Sequence, residues 1–376
     1  MCRLPRVCST VKDMEQVIRA EAAEYRIRSR IEQEYDVITQ NREEEILFQI
    51  QKDRPETVAV LKCCSAAMRR MPAISSANHL SGMTDMVRAD TGVLIMNDRD
   101  ENEKDHDKVM HAILAYQNAA KIPCILTFTR NIQQFERYGF GMISQETEYR
   151  VNDLIIKSDA LIQARIRGSI ELVPSYVRLA ALRKDNLMNL AYFANSVLSR
   201  KYGFFMIRSA VYFEKLLLEM ENRGGGVYQI MEYGKMLGYL AVDSDGRIRE
   251  AVFENDFDRE RYLIRQSKDK VAVMARITNM DQMLMNVASK GNVRIALSLK
   301  DEIYEQNDGL FIWYLDEKGS RLERVEQSAR NPFHPELSIT AAQMVSFIFG
   351  QGKLKENLKF DSIYLLEPVF VNETEV

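Results

Sequence analysis

The chain has 376 residues, a net charge of -3, 46% hydrophobic residues and 28% charged ones. These are the proportions of an ordinary soluble globular protein with two or three domains. They exclude a general attraction to nucleic acid, and no apolar run approaches the roughly 18 residues of a membrane-spanning helix. No stable membrane insertion is expected. The opening Met1-Cys2-Arg3-Leu4-Pro5 lacks the apolar core of a signal peptide, so a cytoplasmic protein is expected. Five cysteines, Cys2, Cys8, Cys63, Cys64 and Cys124, are too few and too scattered for a disulfide framework. Adjacent Cys63 and Cys64 read as buried thiols, because neighbouring strand residues point to opposite faces.

From 11 to 53 the sequence reads as helical. Met14, Val17, Ile18, Ala22 and Tyr25 form a stripe at helical spacing, and the charges from Arg26 to Glu34 suit a solvated face. Asn41-Arg42-Glu43-Glu44-Glu45 suits the exposed start of another short helix. Thr57 to Leu61 reads as a strand, and 66–88 is methionine-rich without a period.

The most informative stretch runs from Asp90 to Arg150. Gly92-Val93-Leu94-Ile95-Met96 is an apolar strand, followed by the charged loop Asn97 to Asp105. A helix follows with Val109, Met110, Ile113, Leu114 and Gln117 on one side. Pro123 to Phe128 reads as a buried strand, and Phe135-Glu136-Arg137-Tyr138-Gly139-Phe140-Gly141 as an aromatic-glycine turn. A boundary falls near 155.

Beyond it lie Leu161 to Ile166 and Glu171 to Val173. A helix is predicted from Asn186 to Arg200 with Asp185 as N-cap and Tyr202-Gly203 beyond its end. A second helix carries Tyr212, Phe213, Leu216, Leu217 and Met220. Gly224-Gly225-Gly226 stands between helix and strand, the wrong order for a phosphate loop, and reads as a turn. Val227 to Tyr233, Met236 to Val242 and Ile248 to Phe253 are strands, with Asp245-Gly246 as a hairpin signal. After Lys270 come the strands Val271 to Ile277, Val293 to Leu299, Leu310 to Leu315 and Arg321 to Val325. A short helix with Met280, Met283 and Leu284 lies among them. Thr340-Ala341-Ala342-Gln343 is a capping-box pattern opening a last apolar helix that stops at Gly350.

In their order, residues 119–141, the segments Lys201-Tyr202-Gly203, 212–219, Gly224 to Tyr228 and Gly238-Tyr239, and the segments 271–277, 337–349 and Phe370 to Glu373 resemble one family. The chain resembles the enhanced intracellular survival type of GNAT acetyltransferase over roughly residues 90–376. The resemblance implies an α/β (α+β) chain of two GNAT-like mixed-sheet domains, 1–155 and 156–270, and a small sterol-carrier-like α+β domain, 271–376. It also implies acetyl-CoA as acyl donor, a small-molecule amine as acceptor and a homo-oligomer. The backbone of Val93, Leu94 and Ile95 would bind the pantetheine arm, and the C-terminal carboxylate of Val376 would be the base.

Two features depart from that pattern. Pyrophosphate needs backbone N–H groups at a helix N-terminus, usually with glycines that let the backbone come close. The loop Asn97 to Lys108 has no glycine, and from Asp98 to Asp107 it carries six acidic residues against Arg99 and Lys104. The family's proton-donating tyrosine corresponds to Phe135, which has no hydroxyl; Tyr138 is the substitute candidate. Plain aromatic packing also explains Phe135, Tyr138 and Phe140. His106 and His111 are five apart, off one helix face, so no metal site is expected. Two readings stand: an N-acetyltransferase acting on an amine, and a non-catalytic scaffold of the same fold that binds a cationic or hydrophobic, lipid-like ligand.

Overall fold

The computed structural model describes residues 11–42, 45–50, 56–69, 86–96, 103–146, 148–152, 175–178, 184–232, 235–266, 271–326, 333–352 and 360–371. The chain divides into two compact units. The first takes residues 1–75, 85–144 and 272–369, and the second takes 76–84, 145–271 and 370–376. The chain therefore leaves the first unit near 145 and returns to it near 271.

The first unit opens with helix α1 (Val11–Tyr35) and strands β1 (Val37–Arg42), β2 (Glu45–Ile50), β3 (Glu56–Arg69) and β4 (Met86–Met96). Next come α2 (Glu103–Ala119), β5 (Cys124–Thr129), α3 (Ile132–Glu136) and β6 (Gly141–Glu146). The inner face of α1 is set by Ile27, Ile31 and Tyr35, with Ile31 buried. Tyr25, from the stripe read in the sequence, is 65% exposed. The short helix expected at 41–45 is also absent from the described residues. Val37–Arg42 and Glu45–Ile50 form the antiparallel pair β1–β2 instead, because Ile46, Phe48 and Ile50 alternate at a period of two, with all three buried.

The second unit contributes β7 (Tyr149–Val151), β8 (Ser175–Arg178), α4 (Lys184–Lys201), β9 (Phe204–Met206) and α5 (Ala210–Asn222). It continues with β10 (Gly226–Glu232), β11 (Lys235–Val242), β12 (Ile248–Phe253), α6 (Asp256–Tyr262) and β13 (Leu263–Arg265). Its main sheet has the order β12-β11-β10-β8, and β7 pairs with β13. Asp185 falls inside α4 rather than before it, whereas Ser209 caps α5 by accepting from Tyr212 N. Gly224 has φ +69° and Gly246 φ +76°, as their turns require. The segments Leu161 to Ile166 and Glu171 to Val173 lie outside the described residues.

A buried ionic network holds this second unit. Arg208 and Glu250 are both buried and pair through two hydrogen bonds of 3.2 and 2.7 Å. Tyr212 donates to the same carboxylate at 2.6 Å, and Tyr239 also donates to it. Half-buried Glu146 lies in the field of Arg249, Glu250 and Arg208.

The chain then re-enters the first unit with β14 (Val271–Ile277), α7 (Met280–Leu284), β15 (Val293–Lys300), β16 (Gly309–Asp316), β17 (Gly319–Arg324), β18 (Leu337–Thr340) and α8 (Ala341–Ile348). Strand β14 enters the large sheet, whose order is β1-β2-β3-β4-β5-β14-β6. Strands β17-β16-β15-β18 form a separate sheet around fully buried Trp313. The capping box of α8 is formed as its sequence indicates. Two bonds tie this returning chain to α2 and to the turn that follows it: Tyr304 Oη donates to Leu114 O at 2.8 Å and Thr278 Oγ1 to Ile122 O at 2.7 Å. Arg276 and Asp301 form a buried pair at 2.6 Å. Burial opposes the Asp301 charge, but Arg276 and Asn307 outweigh it and hold the carboxyl below the usual range.

Candidate functional site

The site is built where two parallel strands part. β4 and β5 pair from Thr91↔Cys124 to Leu94↔Thr127, and their recorded pairing goes no further. Thr127 Oγ1 donates to Leu94 O at 3.0 Å on the last paired rung. Val93 and Leu94 are buried, whereas Ile95 is 39% exposed. On its other side β4 stays paired with β3, through Val60↔Ile95 and Ala59↔Met96. The opening therefore presents backbone groups of β4 toward β5, held in place by the neighbouring strand. Amide groups of an extended ligand can pair with such an edge.

Helix α2 follows this strand in the chain. Residues 97–102 of the acidic loop lie outside the described residues. The first turn carries Glu103 and Asp105, and Asp107 lies one turn beyond Glu103, four apart and so on the same face. The Glu103 and Asp107 carboxylates are bridged by Arg137, at 2.6 and 3.1 Å. Tyr138 donates its hydroxyl to Asp107, and the Arg137 guanidinium lies 4.8 Å from the Tyr138 ring centre. Burial, and then the Asp107 carboxylate, push the Tyr138 phenol well above its ordinary value. Buried His106 meets Gln134 at 3.0 Å, and the His111 ring stands edge-on to Tyr138 at 5.8 Å. Among the described residues, no group of three or more His, Cys, Asp or Glu side chains is placed to hold a metal ion.

The turn at 131–140 is shaped by its own chemistry. Asn131 caps α3 by accepting from Gln134 N. Phe135 is 2% exposed and packs edge-on against Phe140 at 5.4 Å, as a core residue. Gly139 has φ +77°, and a Cβ there would come within 2.9 Å of the Arg276 guanidinium.

Val93, Leu94 and Ile95 thus line one opening. Tyr138 belongs to the polar cluster on the first two turns of α2. Val376 lies outside the described residues. The bridging role of Arg137 was not legible, since its partners stand 34 and 30 residues away along the chain. The i,i+4 spacing of Glu103 and Asp107 was available as a signal.

Beside the N-terminal end of α2, two carboxylates and one guanidinium meet.

No family model and no curated protein matches the chain. Solved structures do. A GCN5-related N-acetyltransferase from Anabaena variabilis ATCC 29413 is similar with a TM-score of 0.57 and 13% identity, over 89% of this chain and 90% of that one. One from Kribbella flavida is similar with a TM-score of 0.54 and 11% identity, over 87% and 86%. Eis1 from Mycobacterium abscessus is similar with a TM-score of 0.53 and 10% identity, over 86% and 85%. Likenesses at these identities speak to fold, and the fold of this chain is that of the GCN5-related N-acetyltransferases.

Proposed function

We propose that the chain transfers an acetyl group from acetyl-CoA to a small-molecule amine, slowly, at the opening between β4 and β5. The observation that carries this reading is the loss of β4–β5 pairing after Leu94 and Thr127. The backbone of Val93, Leu94 and Ile95 would align the thioester arm. Orientation of the thioester beside an amine supplies much of the rate, since a bound pair reacts as one molecule. The C-terminal carboxylate of Val376 is the base on this reading.

The departing thiolate needs a proton. Tyr138 is a poor source, because its proton is held by Asp107 and its phenol is raised. Phe135 has none to give. Solvent would then supply it, at the loss of a general acid's contribution of roughly 100- to 10,000-fold.

The reading is tested by isothermal titration of the protein with acetyl-CoA. Saturable heat that is lost in Ile95→Pro supports it. Absence of heat at millimolar acetyl-CoA sinks it.

One observation favours a second reading. Glu103 and Asp107 at the α2 terminus attract cations rather than phosphates. A non-catalytic protein of this fold, binding a cationic or lipid-like ligand, would give heat with a polyamine and none with acetyl-CoA.

A further inference from the structure

The second unit has a small hollow between the end of α4, strand β12 and α6. Val197 and Val252 belong to its apolar wall, and Lys201, Tyr202, Asp256 and Arg259 form its polar wall. Lys201 pairs with Asp256 at 2.9 Å, and its neighbour Arg200 pairs with Glu254 at 2.9 Å. Arg259 differs from both. Its guanidinium lies 4.9 Å from the centre of the Tyr149 ring, and among the described residues it has no hydrogen bond and no carboxylate partner. The Tyr202 hydroxyl has no partner among the described residues either. Both side chains are half-buried, so each withholds polar atoms from water without a protein group to replace it.

The chemistry of these groups selects an occupant. A guanidinium carries five N–H donors in a planar fork and keeps its proton. The Tyr149 ring face attracts its charge but offers no oxygen to the fork. Burial raises the Tyr202 phenol above its ordinary value, and the Arg259 charge opposes the rise, so the hydroxyl is a donor at neutral pH. Lys201 donates to Asp256 and holds that carboxyl below the usual range, so these two charges cancel. One positive charge remains, on Arg259. A monoanion balances it, and a carboxylate presents two oxygens in the plane that such a fork binds in parallel. The room within the hollow is about 10 Å³, enough for about one water-sized group. One carboxylate oxygen fills it, and the remainder of the acid lies at the mouth.

We infer that this hollow binds the carboxylate of a small monocarboxylic acid, held by the Arg259 guanidinium and the Tyr202 hydroxyl, with the Lys201–Asp256 pair closing its side. Ring contacts set both donors in place beforehand: Arg259 lies on Tyr149, and the Tyr202 ring packs against Phe370 at 5.1 Å between centres. Donors fixed in advance lose little freedom when a ligand arrives. Every residue named belongs to the second unit, so the inference does not depend on the acetyl-CoA reading of the β4–β5 opening.

The test is protection of Arg259 from the arginine reagent phenylglyoxal, read by peptide mapping of the whole chain, with sodium propionate as the probe. Arg321, 66% exposed at the side chain, serves as the internal reference. Propionate at ten times its dissociation constant slows labelling of Arg259 about tenfold and leaves that of Arg321 unchanged. Sodium chloride at the same ionic strength protects neither. This comparison needs only the unsubstituted protein. Titration of propionate followed by saturation-transfer NMR then identifies the donors. Arg259→Gln and Tyr202→Phe each weaken binding about tenfold or more, as loss of a hydrogen bond to a charged group does. Labelling of Arg259 that propionate does not slow overturns the inference. Equal protection by chloride overturns the carboxylate assignment, and propionate affinity that survives Arg259→Gln unchanged overturns the site.

Discussion

Tyr138 donates its hydroxyl to Asp107, linking the aromatic turn to the second turn of α2 across 31 residues of sequence. That bond occupies both of the groups that would otherwise decide the chemistry of the opening. The phenol is kept from acting as an acid, and the carboxylate is kept at the helix end where a phosphate would bind.

Removing the charge at that end should therefore favour the cofactor. Glu103 and Asp107 are 76% and 45% exposed at the side chain, and each exposed charge counts for about 0.2–1 kcal/mol. The double variant Glu103→Gln with Asp107→Asn is expected to bind coenzyme A about two- to thirtyfold more tightly, and more so at low salt. Calorimetry at two salt concentrations measures this. Unchanged affinity would place the pyrophosphate elsewhere.

Gln117 is fully buried on α2, and among the described residues neither side-chain amide atom has a hydrogen-bond partner. A buried amide without partners costs about 1–3 kcal/mol. Gln117→Met keeps the length of the side chain and removes the polar atoms, so it should raise stability by that amount in urea denaturation. A lower midpoint would mean that the amide is satisfied, by water for instance.

Arg276 pairs with Asp301 at 2.6 Å, and its guanidinium lies under Gly139. Arg276→Met leaves a buried carboxylate uncompensated, at a cost of about 3–5 kcal/mol. Adding Asp301→Asn should restore part of the loss, because the amide oxygen can still accept from Ile303 N and Tyr304 N. Chemical denaturation of both variants reads the difference. A double variant no more stable than the single would show that charge is not the cause.

Burial lifts Glu146 to about 7 from 4.5; Arg249 and Arg208 oppose the lift and Glu250 adds to it. The folded chain then holds a proton that the unfolded chain has released. Its stabilising effect is complete below the unfolded value and is lost as pH rises through the folded one. Glu146→Gln should flatten this dependence between about pH 4.5 and 7 and stabilise the protein at about pH 8 by up to about 3 kcal/mol. Melting curves across that range decide it. An equal slope in both proteins would remove Glu146 as the source.

The elements with local signals were legible in the sequence. The capping box of α8, the Asp245-Gly246 hairpin and the aromatic stripe of α5 each depend on residues a few positions apart. β2 was hidden because Glu43, Glu44 and Glu45 read as a helix start, while its apolar alternation is only three residues deep. The strand that lines the opening was legible as Val93 to Ile95. Arg137 and Tyr138 were not legible as partners of carboxylates. Their pairings arise from a turn that closes on a distant helix, which leaves no local trace.

The place of β14 bears on how this protein is made. Strand β5 has β4 on one side and β14 on the other, and residues 145–271 intervene. A nascent chain emerges at roughly 5–20 residues per second. Throughout that interval the second edge of β5 has no native partner. An open edge is a template for pairing with other chains, so the ribosome-bound intermediate is the species most exposed to aggregation. A chain stopped before residue 271 would keep that edge permanently, beside the very strand that frames the opening.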